Sequence, residues 1–396
     1  MKPTHKKVGI IFSGGPAPSA NSVISTTAIN YLENKIPVIG IFYGYEFIQN
    51  FDKDNPVITR DIHYTEIGYE ITRVRNERGV YLKTSRANPG NDIKTREDLT
   101  NLKKNERLRN IIDAFDYLEI GALISIGGDD TLKTANFLHL SGFPVIHIPK
   151  TIDNDYYGIP WTFGYWTAVD TAQKIMLNIK ADAQATNSYY IVELMGRKTG
   201  WITYAAGIAS EAIMMISAED IEEDTLNVDV IANEIVNTII DREEHKRPYG
   251  VIAISEGLVD KLPIGLIPKT TDRHGNIQLG KANIARFMAF RVGEIYSERT
   301  GSEIKITSKQ IGYETRAAAP ISFDVVLAGM LGYGAYRFYS ENMFGVMVSV
   351  TDNFNLKAVP FDELIDSNTL KTRIRGVPKG SDFYALKERL SFRRFI

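Results

Sequence analysis

Residues 124–135 read ISIGGDDTLKTA and place two carboxylates directly behind a glycine pair at the end of an apolar run. A strand that ends in Gly-Gly usually leads into a turn whose backbone amides point at a negative group. Asp129 and Asp130 instead add negative charge at that turn. The stretch predicts a strand, a turn and a helix of an α/β protein, and it raises the question of what the two carboxylates bind.

Strand-like runs alternate with helical patterns along the chain. Helical spacing of apolar residues covers 167–185 and 227–245. Short β-rich runs, mostly apolar as is typical of strands buried on both faces of a parallel sheet, cover residues 8–12, 37–43, 121–127, 144–149, 189–195, 211–217, 249–255 and 344–350. The alternation predicts a doubly wound α/β fold with mostly parallel sheets.

Two polar segments interrupt this pattern. Residues 76–108 are rich in turn formers, which predicts a surface excursion between the second and third strands. Residues 260–281 predict another excursion, followed by a helix at 282–298. At 396 residues the chain suits two domains, or one large α/β unit with insertions.

Composition narrows the classes of function. A formal net charge of -2 argues against nucleic acid as a partner. The absence of cysteine excludes thiolate nucleophiles, disulfides and cysteine-based metal sites. We find neither a signal peptide nor the roughly 20 consecutive apolar residues that cross a bilayer, so we expect a cytoplasmic protein without a membrane partner.

The first and third strand-to-helix turns carry unusual residues, and ligands of open parallel sheets gather at such turns. FSGGPAPSAN (12–21) offers Gly14 and Gly15 for close approach of a ligand, although a purely structural turn explains them equally well. IPKTIDNDYYG (148–158) combines one ammonium, one hydroxyl and two carboxylates, the mixture that phosphoryl transfer needs. The alternative for this segment is a cluster of helix caps and turns.

A further set of turns supplies cations. ELMGRKTGW (193–201) and QIGYETRAAAPISFD (310–324) contain Arg197 and Arg316, whose planar guanidinium groups match phosphate oxygens. AISEGL (253–258) contains Glu256, which suits sugar hydroxyls. Taken singly, each of these residues is more typical of a surface or a salt bridge.

Together these segments resemble the phosphofructokinase family. Its members carry SGG-x-AP-x-x-N, GGD-[GD]-[ST], P-[GK]-TIDND, MGR, a strand that ends in Glu, and G-[HY]-x-x-R, and all six occur here in this order between Ser13 and Arg316. The resemblance implies the fold of that family: a larger lobe, 1–164 with 316–365, for pyrophosphate and magnesium, and a smaller lobe, 165–315 with 366–396, for the sugar phosphate.

The resemblance also implies roles for single residues. Asp153 would be the general base that takes the proton of the sugar 1-hydroxyl, and Asp129 would hold Mg²⁺. Catalytic support is implied for Arg86, Asp130, Lys150, Thr151 and Asp155. Substrate binding is implied for Gly14, Gly15, Thr151, Ile152, Asp153, Met195, Gly196, Arg197, Glu256, Tyr313 and Arg316.

Asp130 answers the opening question by indicating the phosphoryl donor. Members that use ATP usually have glycine there, because the α-phosphate of the nucleotide passes close to the backbone. A carboxylate fills that space and repels a phosphate, by about 4 kcal/mol for unit charges ~4 Å apart at an effective dielectric near 20. Pyrophosphate has no third phosphate to place there, and Lys150 would compensate the added charge. The expected reaction is reversible transfer from pyrophosphate to fructose 6-phosphate, although lysine at position 150 also occurs among ATP-using relatives.

The chain departs from the family at several positions. Ser19 stands where glycine is common. Bacterial ATP-dependent relatives extend two arginines into the sugar site of a neighbouring subunit, and the corresponding positions here are Ser188 and Thr307. Lys305 and Lys309 are candidate substitutes, although both are more typical of a solvated strand end. We expect a homodimer, with a homotetramer as the alternative.

Other interpretations stay open at this point. An ATP-dependent phosphofructokinase, an NAD kinase and a sugar-phosphate sensor without catalysis each explain part of the pattern, and sedoheptulose 7-phosphate is an alternative sugar. His139, His147 and the aromatic run WTFGYWTA (161–168) are more typical of core packing than of a ligand site.

Overall fold

The structure, a computed structural model, describes residues 6–263, 265–266 and 282–391. These residues form two compact units. Unit 1 contains Met1–Ile152, Tyr156–Thr167 and Arg316–Ile374, and unit 2 contains Asp153–Asp155, Ala168–Thr315 and Arg375–Ile396. The expected lobe boundaries lie at 164/165, 315/316 and 365/366, and the segment Asp153–Asp155 groups with unit 2 although we expected it in the larger lobe.

Unit 1 is organised around a mostly parallel sheet, which has seven strands among the described residues. The strands are β1 (Lys7–Phe12), β2 (Val38–Ile41), β3 (Tyr64–Ile67), β4 (Ile120–Gly127), β5 (Val145–Pro149), β10 (Val346–Val350) and β11 (Leu356–Pro360). Their order across the sheet is β11-β10-β5-β4-β1-β2-β3, and only the edge strands β3 and β11 pair antiparallel. The central strands are buried because helices cover parallel sheets on both faces.

The helices of unit 1 follow the sheet strands. They are α1 (Ala20–Glu33), α2 (Glu106–Tyr117), α3 (Asp129–Leu140), α8 (Ser322–Ser340) and the short α9 (Phe361–Leu364). Helices α1 and α8 pack closely, and a Cβ atom at Gly332 would lie 2.9 Å from the backbone nitrogen of Thr27. Glycine at this position therefore permits the close contact of the two helices.

Unit 2 has a smaller sheet, with four parallel strands among the described residues. The strands are β6 (Tyr189–Leu194), β7 (Met214–Ile216), β8 (Gly250–Ser255) and β9 (Ile306–Ile311), in the order β7-β8-β6-β9. The helices are α5 (Trp201–Ala209), α6 (Val228–Glu244), α7 (Ile284–Thr300) and α10 (Asp382–Leu390), while α4 (Tyr165–Thr186) crosses the division between the units. Apolar faces of α6 and α7 bury Ile235 and Met288 against Ile252 of β8.

The mixed α/β fold with mostly parallel sheets agrees with the sequence prediction. All eight predicted strands are present, and helices occupy the four segments for which we predicted them. The prediction missed β3, β9 and β11. All three lie at sheet edges, where exposed polar residues interrupt the apolar run that identifies a buried strand.

The two predicted excursions differ in how far the structure describes them. Residues 76–108 form turns and the short 3₁₀ helices Pro89–Asp92 and Glu97–Thr100 before α2 begins. In the second excursion, residues 264 and 267–281 lie outside the described residues. None of the helices described is both long and apolar enough to cross a bilayer.

Candidate active site

Lys150 is hydrogen-bonded to the glycine turn of unit 1, which contains Gly14 and Gly15. It follows β5, is 6% exposed, and donates from Nζ to the Gly15 carbonyl at 2.7 Å. Gly14 has φ 91, and a Cβ atom there would lie 3.1 Å from Lys150 Nζ, so the turn needs glycine both for its backbone angle and for space. The turns that follow β1 and β5 therefore meet at the carboxyl ends of their strands.

A second loop is hydrogen-bonded to the same glycine turn. The Gly14 amide donates to the Ser85 carbonyl at 2.8 Å, and Thr84 Oγ1 donates to the Gly14 carbonyl at 2.7 Å. The next residue is Arg86, whose side chain is exposed. The backbone bonds at Thr84 and Ser85 thus place the predicted catalytic arginine beside the glycine turn.

Arg316 lies on the other side of this turn. It belongs to unit 1, and a Cβ atom at Gly15 would lie 3.4 Å from its guanidinium Nη1. The half-buried Thr151 and the buried Ile152 also belong to unit 1 and follow Lys150 directly. Unit 1 therefore brings together a glycine turn, a buried ammonium and a guanidinium group.

Asp129 and Asp130 occupy the first turn of α3, after Gly128 as N-cap. Carboxylates are stabilised there by the partial positive charge of a helix N-terminus. Lys133 Nζ lies 3.4 Å from Asp130 Oδ1, and both side chains are partly exposed. Lys133 therefore compensates part of the negative charge of Asp130. We had expected only Lys150 to do so.

A buried hydrogen-bond chain supports the turn before α3. Tyr156 donates from its hydroxyl to the Gly127 carbonyl at 3.0 Å and lies 3.1 Å from His147 Nε2. The same carbonyl accepts the Lys150 amide at 2.9 Å. Burial lowers the pKa of His147 to about 3, so its ring is neutral and donates from Nε2 to the tyrosine oxygen. His147 is a core histidine, as predicted, and it also supports the site.

The predicted base lies in unit 2. Asp153 is 4% exposed, and its carbonyl accepts a hydrogen bond from Thr199 Oγ1 at 3.4 Å. Asn154 is fully buried with φ 55, a left-handed conformation that is uncommon for residues other than glycine. Arg375 donates from Nη2 to the Asn154 carbonyl at 2.9 Å and from its amide to the carbonyl of the half-buried Asp155 at 2.7 Å.

Glu256 holds the turn that contains the predicted sugar-phosphate residues. It is 5% exposed, and its Oε1 accepts the amides of Gly196 at 3.2 Å and Arg197 at 3.0 Å. Arg197 has φ 48 and an exposed side chain, and Met195 before it is half-buried. One carboxylate thus satisfies two amides of a turn that leaves the guanidinium of Arg197 at the surface.

A second buried carboxylate lies in the same sheet. Glu193 of β6 accepts the Ala285 amide at the start of α7 at 3.1 Å and the side-chain amide of Gln310 at 3.0 Å. Burial raises the pKa of Glu193 to about 7, and the neighbouring Glu256 carboxylate also raises it, while the two hydrogen bonds act in the opposite direction. Tyr313, the remaining predicted contact, is 72% exposed.

Asp129 is the predicted ligand of a magnesium ion. Within the described residues no group of three or more histidine, cysteine, aspartate or glutamate side chains is placed to hold a metal. Magnesium is commonly held by one or two carboxylates together with phosphate oxygens and water. A single carboxylate at the start of α3, in the same unit as the cation-lined glycine turn, fits an ion that arrives with a phosphate ligand.

The positions that depart from the family pattern differ in their surroundings. Ser19 has φ 65 at the N-cap of α1, so a glycine there would avoid strain. Ser188 is fully buried and shares a 2.7 Å hydrogen bond with Thr186, whereas Thr307, Lys305 and Lys309 are exposed on or beside the edge strand β9.

The aromatic and histidine predictions agree with the packing. Trp161 stacks on Tyr165 at 6.1 Å, and His139 packs edge-on against Phe361 at 6.0 Å. Sequence reasoning missed the supporting roles of Lys133, Tyr156, Thr199 and Arg375. For Lys133 a signal existed, because it stands three residues after Asp130 on a helix. Arg375 lies beyond the last motif, and no pattern identified it.

Comparison with known proteins agrees with these motifs. The model of the family described as phosphofructokinase matches residues 7–339. A pyrophosphate–fructose 6-phosphate 1-phosphotransferase of Thermotoga maritima is 33% identical, over 98% of this chain and 91% of its own length. A protein of the same name from Naegleria fowleri is 31% identical over 98% of this chain and 88% of its own. An ATP-dependent 6-phosphofructokinase of Spirochaeta thermophila is 29% identical over 94% and 93%.

Solved structures support the fold. A pyrophosphate-dependent phosphofructokinase from Nitrosospira multiformis aligns with a TM-score of 0.71 at 18% identity, covering 98% of this chain and 92% of its own. One from Marinobacter aquaeolei gives 0.69 at 17% identity, covering 97% and 91%. The family model spans most of the chain and the motifs lie at the ends of the expected strands, so this protein belongs to the phosphofructokinase family.

Proposed function

We propose that this protein reversibly transfers a phosphoryl group from pyrophosphate to the 1-hydroxyl of fructose 6-phosphate, giving fructose 1,6-bisphosphate and phosphate in glycolysis and gluconeogenesis. Family membership supports a sugar-phosphate kinase. The names of the relatives in Thermotoga maritima and Naegleria fowleri support pyrophosphate as donor, while the name of the Spirochaeta thermophila relative supports ATP. The choice between donors therefore has to rest on residues of this chain.

The observation that carries the proposal is Asp130 in the first turn of α3, directly after Asp129. A nucleotide would have to bring its α-phosphate close to the backbone at this position, where the carboxylate occupies space and carries like charge. The repulsion is about 4 kcal/mol for unit charges ~4 Å apart at an effective dielectric near 20, and smaller where water screens the partly exposed Asp130. Pyrophosphate avoids this position because it ends one phosphate earlier.

The cations of unit 1 suit a diphosphate. Lys150 donates to the Gly15 carbonyl, which fixes its ammonium beside the glycine turn. Arg316 lies against Gly15, and the loop of Arg86 is hydrogen-bonded to Gly14. We assign Lys150 and Arg86 to the donor and the transferring group, together with the glycine turn and Thr151. Preorganised charge of this kind is the main way proteins stabilise phosphoryl transfer.

In unit 2 we assign acceptance of the sugar 1-hydroxyl proton to Asp153. A general base has to keep a fixed direction, and hydrogen bonds to the backbone carbonyls of Asp153, Asn154 and Asp155 support this. We assign binding of fructose 6-phosphate to residues of both units, namely Ile152 and Arg316 of unit 1 and Met195, Gly196, Arg197, Glu256 and Tyr313 of unit 2. Asp155 supports the region of the base and the metal.

Magnesium is the proposed cofactor, and Asp129 would hold it together with phosphate oxygens of the donor. When bound, it would neutralise the charge of those oxygens. In this proposal Asp129 holds the metal, and Asp130 limits the length of the donor.

A coupled assay tests the proposal. The full chain is supplied with fructose 6-phosphate, magnesium and either pyrophosphate or ATP, and formation of fructose 1,6-bisphosphate is followed in both directions. We expect turnover with pyrophosphate and little with ATP. Turnover with ATP alone would contradict the choice of donor, and absence of turnover with both donors would favour a sugar-phosphate sensor. Replacing the sugar by sedoheptulose 7-phosphate measures the selectivity of the acceptor site.

Asp153→Ser tests the base. We expect kcat to fall by about 10²–10⁴-fold, the usual contribution of a general base, while the affinity for fructose 6-phosphate changes little. Asp182→Ser is a control in unit 2, because Asp182 lies on the exposed part of α4. Near-parental turnover of Asp153→Ser would show that another residue is the base.

The homodimer, or homotetramer, remains part of the proposal. The buried Ser188 and the uncharged Thr307 do not supply the arginines that bacterial relatives contribute across a subunit interface. Light scattering of the purified chain at several concentrations would measure the oligomeric state.

A further inference from the structure

Arg375 contacts two loops of unit 2 that carry proposed site residues. Its amide and its guanidinium donate to the carbonyls of Asp155 and Asn154, at 2.7 and 2.9 Å. Its carbonyl accepts Trp201 Nε1 at 2.9 Å, and its guanidinium lies over the Trp201 ring at 4.5 Å from the ring centroid. Trp201 begins α5, immediately after the MGRKTG turn. One arginine therefore connects the loop of the proposed base with the loop of the proposed sugar-phosphate residues.

The loop that follows Asp153 has an uncommon backbone conformation. Asn154 is fully buried and has φ 55, in the left-handed region, which asparagine adopts more readily than most other residues except glycine. A hydrogen bond from a charged donor is stronger than one between neutral groups. The bond from Arg375 to the Asn154 carbonyl therefore stabilises the backbone conformation that sets the direction of the Asp153 side chain.

The segment after Arg375 is itself fixed to unit 2. The amides of Val377 and Gly200 both donate to Glu219 Oε1, at 3.2 and 2.8 Å. Further along, Lys387 is 1% exposed and donates to Asp220 Oδ1 at 2.7 Å. Its ammonium lies 4.9 Å from the centroids of two aromatic rings, Tyr204 and Tyr384. These contacts fix the segment around Arg375 to unit 2.

We infer that Arg375 is a positioning residue for phosphoryl transfer, which acts through the carbonyls of Asn154 and Asp155 to fix the carboxylate of Asp153. The inference rests on the proposed role of Asp153 as the base. It does not depend on whether the donor is pyrophosphate or ATP.

Arg375→Met should separate positioning from binding. Misplacement of a reacting group by about 1 Å can cost 10²-fold in rate, so we expect kcat to fall about 10–100-fold with either donor that the parent uses. The KM values for the sugar and the donor should stay within about threefold. Arg375→Lys keeps a cationic donor and should recover part of the loss. Lys379→Met is the control, since it removes an exposed ion pair with Glu222 on the same segment and should keep parental kinetics.

Hydrogen–deuterium exchange provides a measurement that is independent of turnover. Amides in residues 150–158 should exchange faster in Arg375→Met than in the parent, while Lys379→Met should match the parent. Trp201 fluorescence in a Trp161→Phe, Trp166→Phe background should change in Arg375→Met, because the guanidinium leaves the ring.

These outcomes separate the inference from the proposed function. Parental kcat in Arg375→Met, or unchanged exchange at residues 150–158, would overturn the inference. If the parent itself turned over neither donor, the proposed function would fail, and exchange would still decide whether Arg375 holds the loop. If Arg375→Met did not fold, Arg375→Lys with the same readouts would decide, and equal kinetics and exchange to the parent would contradict the inference.

Discussion

The glycine turn of unit 1 and the MGR turn of unit 2 are held by buried groups of opposite charge. In unit 1 the ammonium of Lys150 binds the Gly15 carbonyl. In unit 2 the carboxylate of Glu256 binds the amides of Gly196 and Arg197. A buried charge is tolerated in each case because it is hydrogen-bonded to the backbone. Both turns lie at strand ends and are held by a buried charge, but the charge is positive in unit 1 and negative in unit 2.

This difference matches the two ligands that we propose. A buried ammonium adds positive charge beside the turn, which suits a diphosphate with several negative oxygens. In unit 2 the buried Glu256 carboxylate accepts hydrogen bonds from backbone amides, so its charge is not presented to a ligand. The exposed guanidinium of Arg197 suits a single phosphate group. Substitutions at the two holding residues should therefore affect the two substrates separately.

Lys150→Met should have the largest effect on the donor. Hydrogen bonds with a charged partner contribute roughly 1.5–3 kcal/mol, and 1.4 kcal/mol corresponds to a tenfold change in binding. We expect kcat/KM for the donor to fall about 10–100-fold, while KM for fructose 6-phosphate stays near its parental value. Steady-state kinetics with each substrate varied in turn measures both. Lys53→Met is a control in unit 1, because Lys53 is exposed and has no assigned role in the site. An equal rise in KM for the sugar would contradict the assignment of Lys150 to the donor alone.

Glu256→Ala should give the reverse pattern. It leaves two amides of the MGR turn without their acceptor, and an unsatisfied buried donor costs about 1–3 kcal/mol. We expect kcat/KM for fructose 6-phosphate to fall about tenfold or more, with KM for the donor unchanged. Glu256→Gln retains an acceptor oxygen and should lose less. If Glu256→Ala weakened the donor instead, Glu256 would not be acting through its own turn.

Glu193→Gln should change the pH dependence of stability. The pKa of Glu193 is about 7 in the folded chain against an ordinary value of 4.5. Between these values the folded chain binds the proton and the unfolded chain releases it. The free energy of unfolding therefore falls as pH rises through this window, by up to about 3 kcal/mol from this group.

Urea unfolding at pH 5 and pH 8 measures this effect. The neutral glutamine does not titrate, so Glu193→Gln should gain about 1–3 kcal/mol relative to the parent between pH 5 and pH 8. Comparing the two chains cancels the titration of all other groups. A difference that is the same at both pH values would show that the Glu193 carboxyl is not shifted.

The sequence predicted the interior of the fold better than its edges. Strands such as β4 and β8 are apolar throughout because both faces are covered, so their composition identifies them. The edge strand β9 reads ITSKQI, and its alternation of half-buried and exposed residues does not distinguish it from a loop. Strand β9 forms by pairing with β6, which is distant from it in the sequence.

The site shows the same limit. Motif spacing predicted that Gly14 and Lys150 belong to one site, because both follow parallel strands. Spacing did not reveal that Lys150 is fastened to the Gly15 carbonyl, nor that Tyr156 and His147 support the turn before α3. Arg375 was missed because its role depends on where a distant segment docks, and single-sequence patterns carry no such information.

Donor preference measured at Asp130 tests the central claim most directly. The parent, Asp130→Asn, Asp130→Ala and Asp130→Gly are compared by kcat/KM with pyrophosphate and with ATP. Asparagine removes the charge and keeps the side chain, alanine removes most of its volume, and glycine removes all of it at a helix cost of about 1 kcal/mol. We predict that the parent prefers pyrophosphate and that the preference falls stepwise, by about 10–100-fold from the parent to Asp130→Gly, as ATP gains access. A parent that prefers ATP, or the same donor ratio in all four chains, would contradict the account.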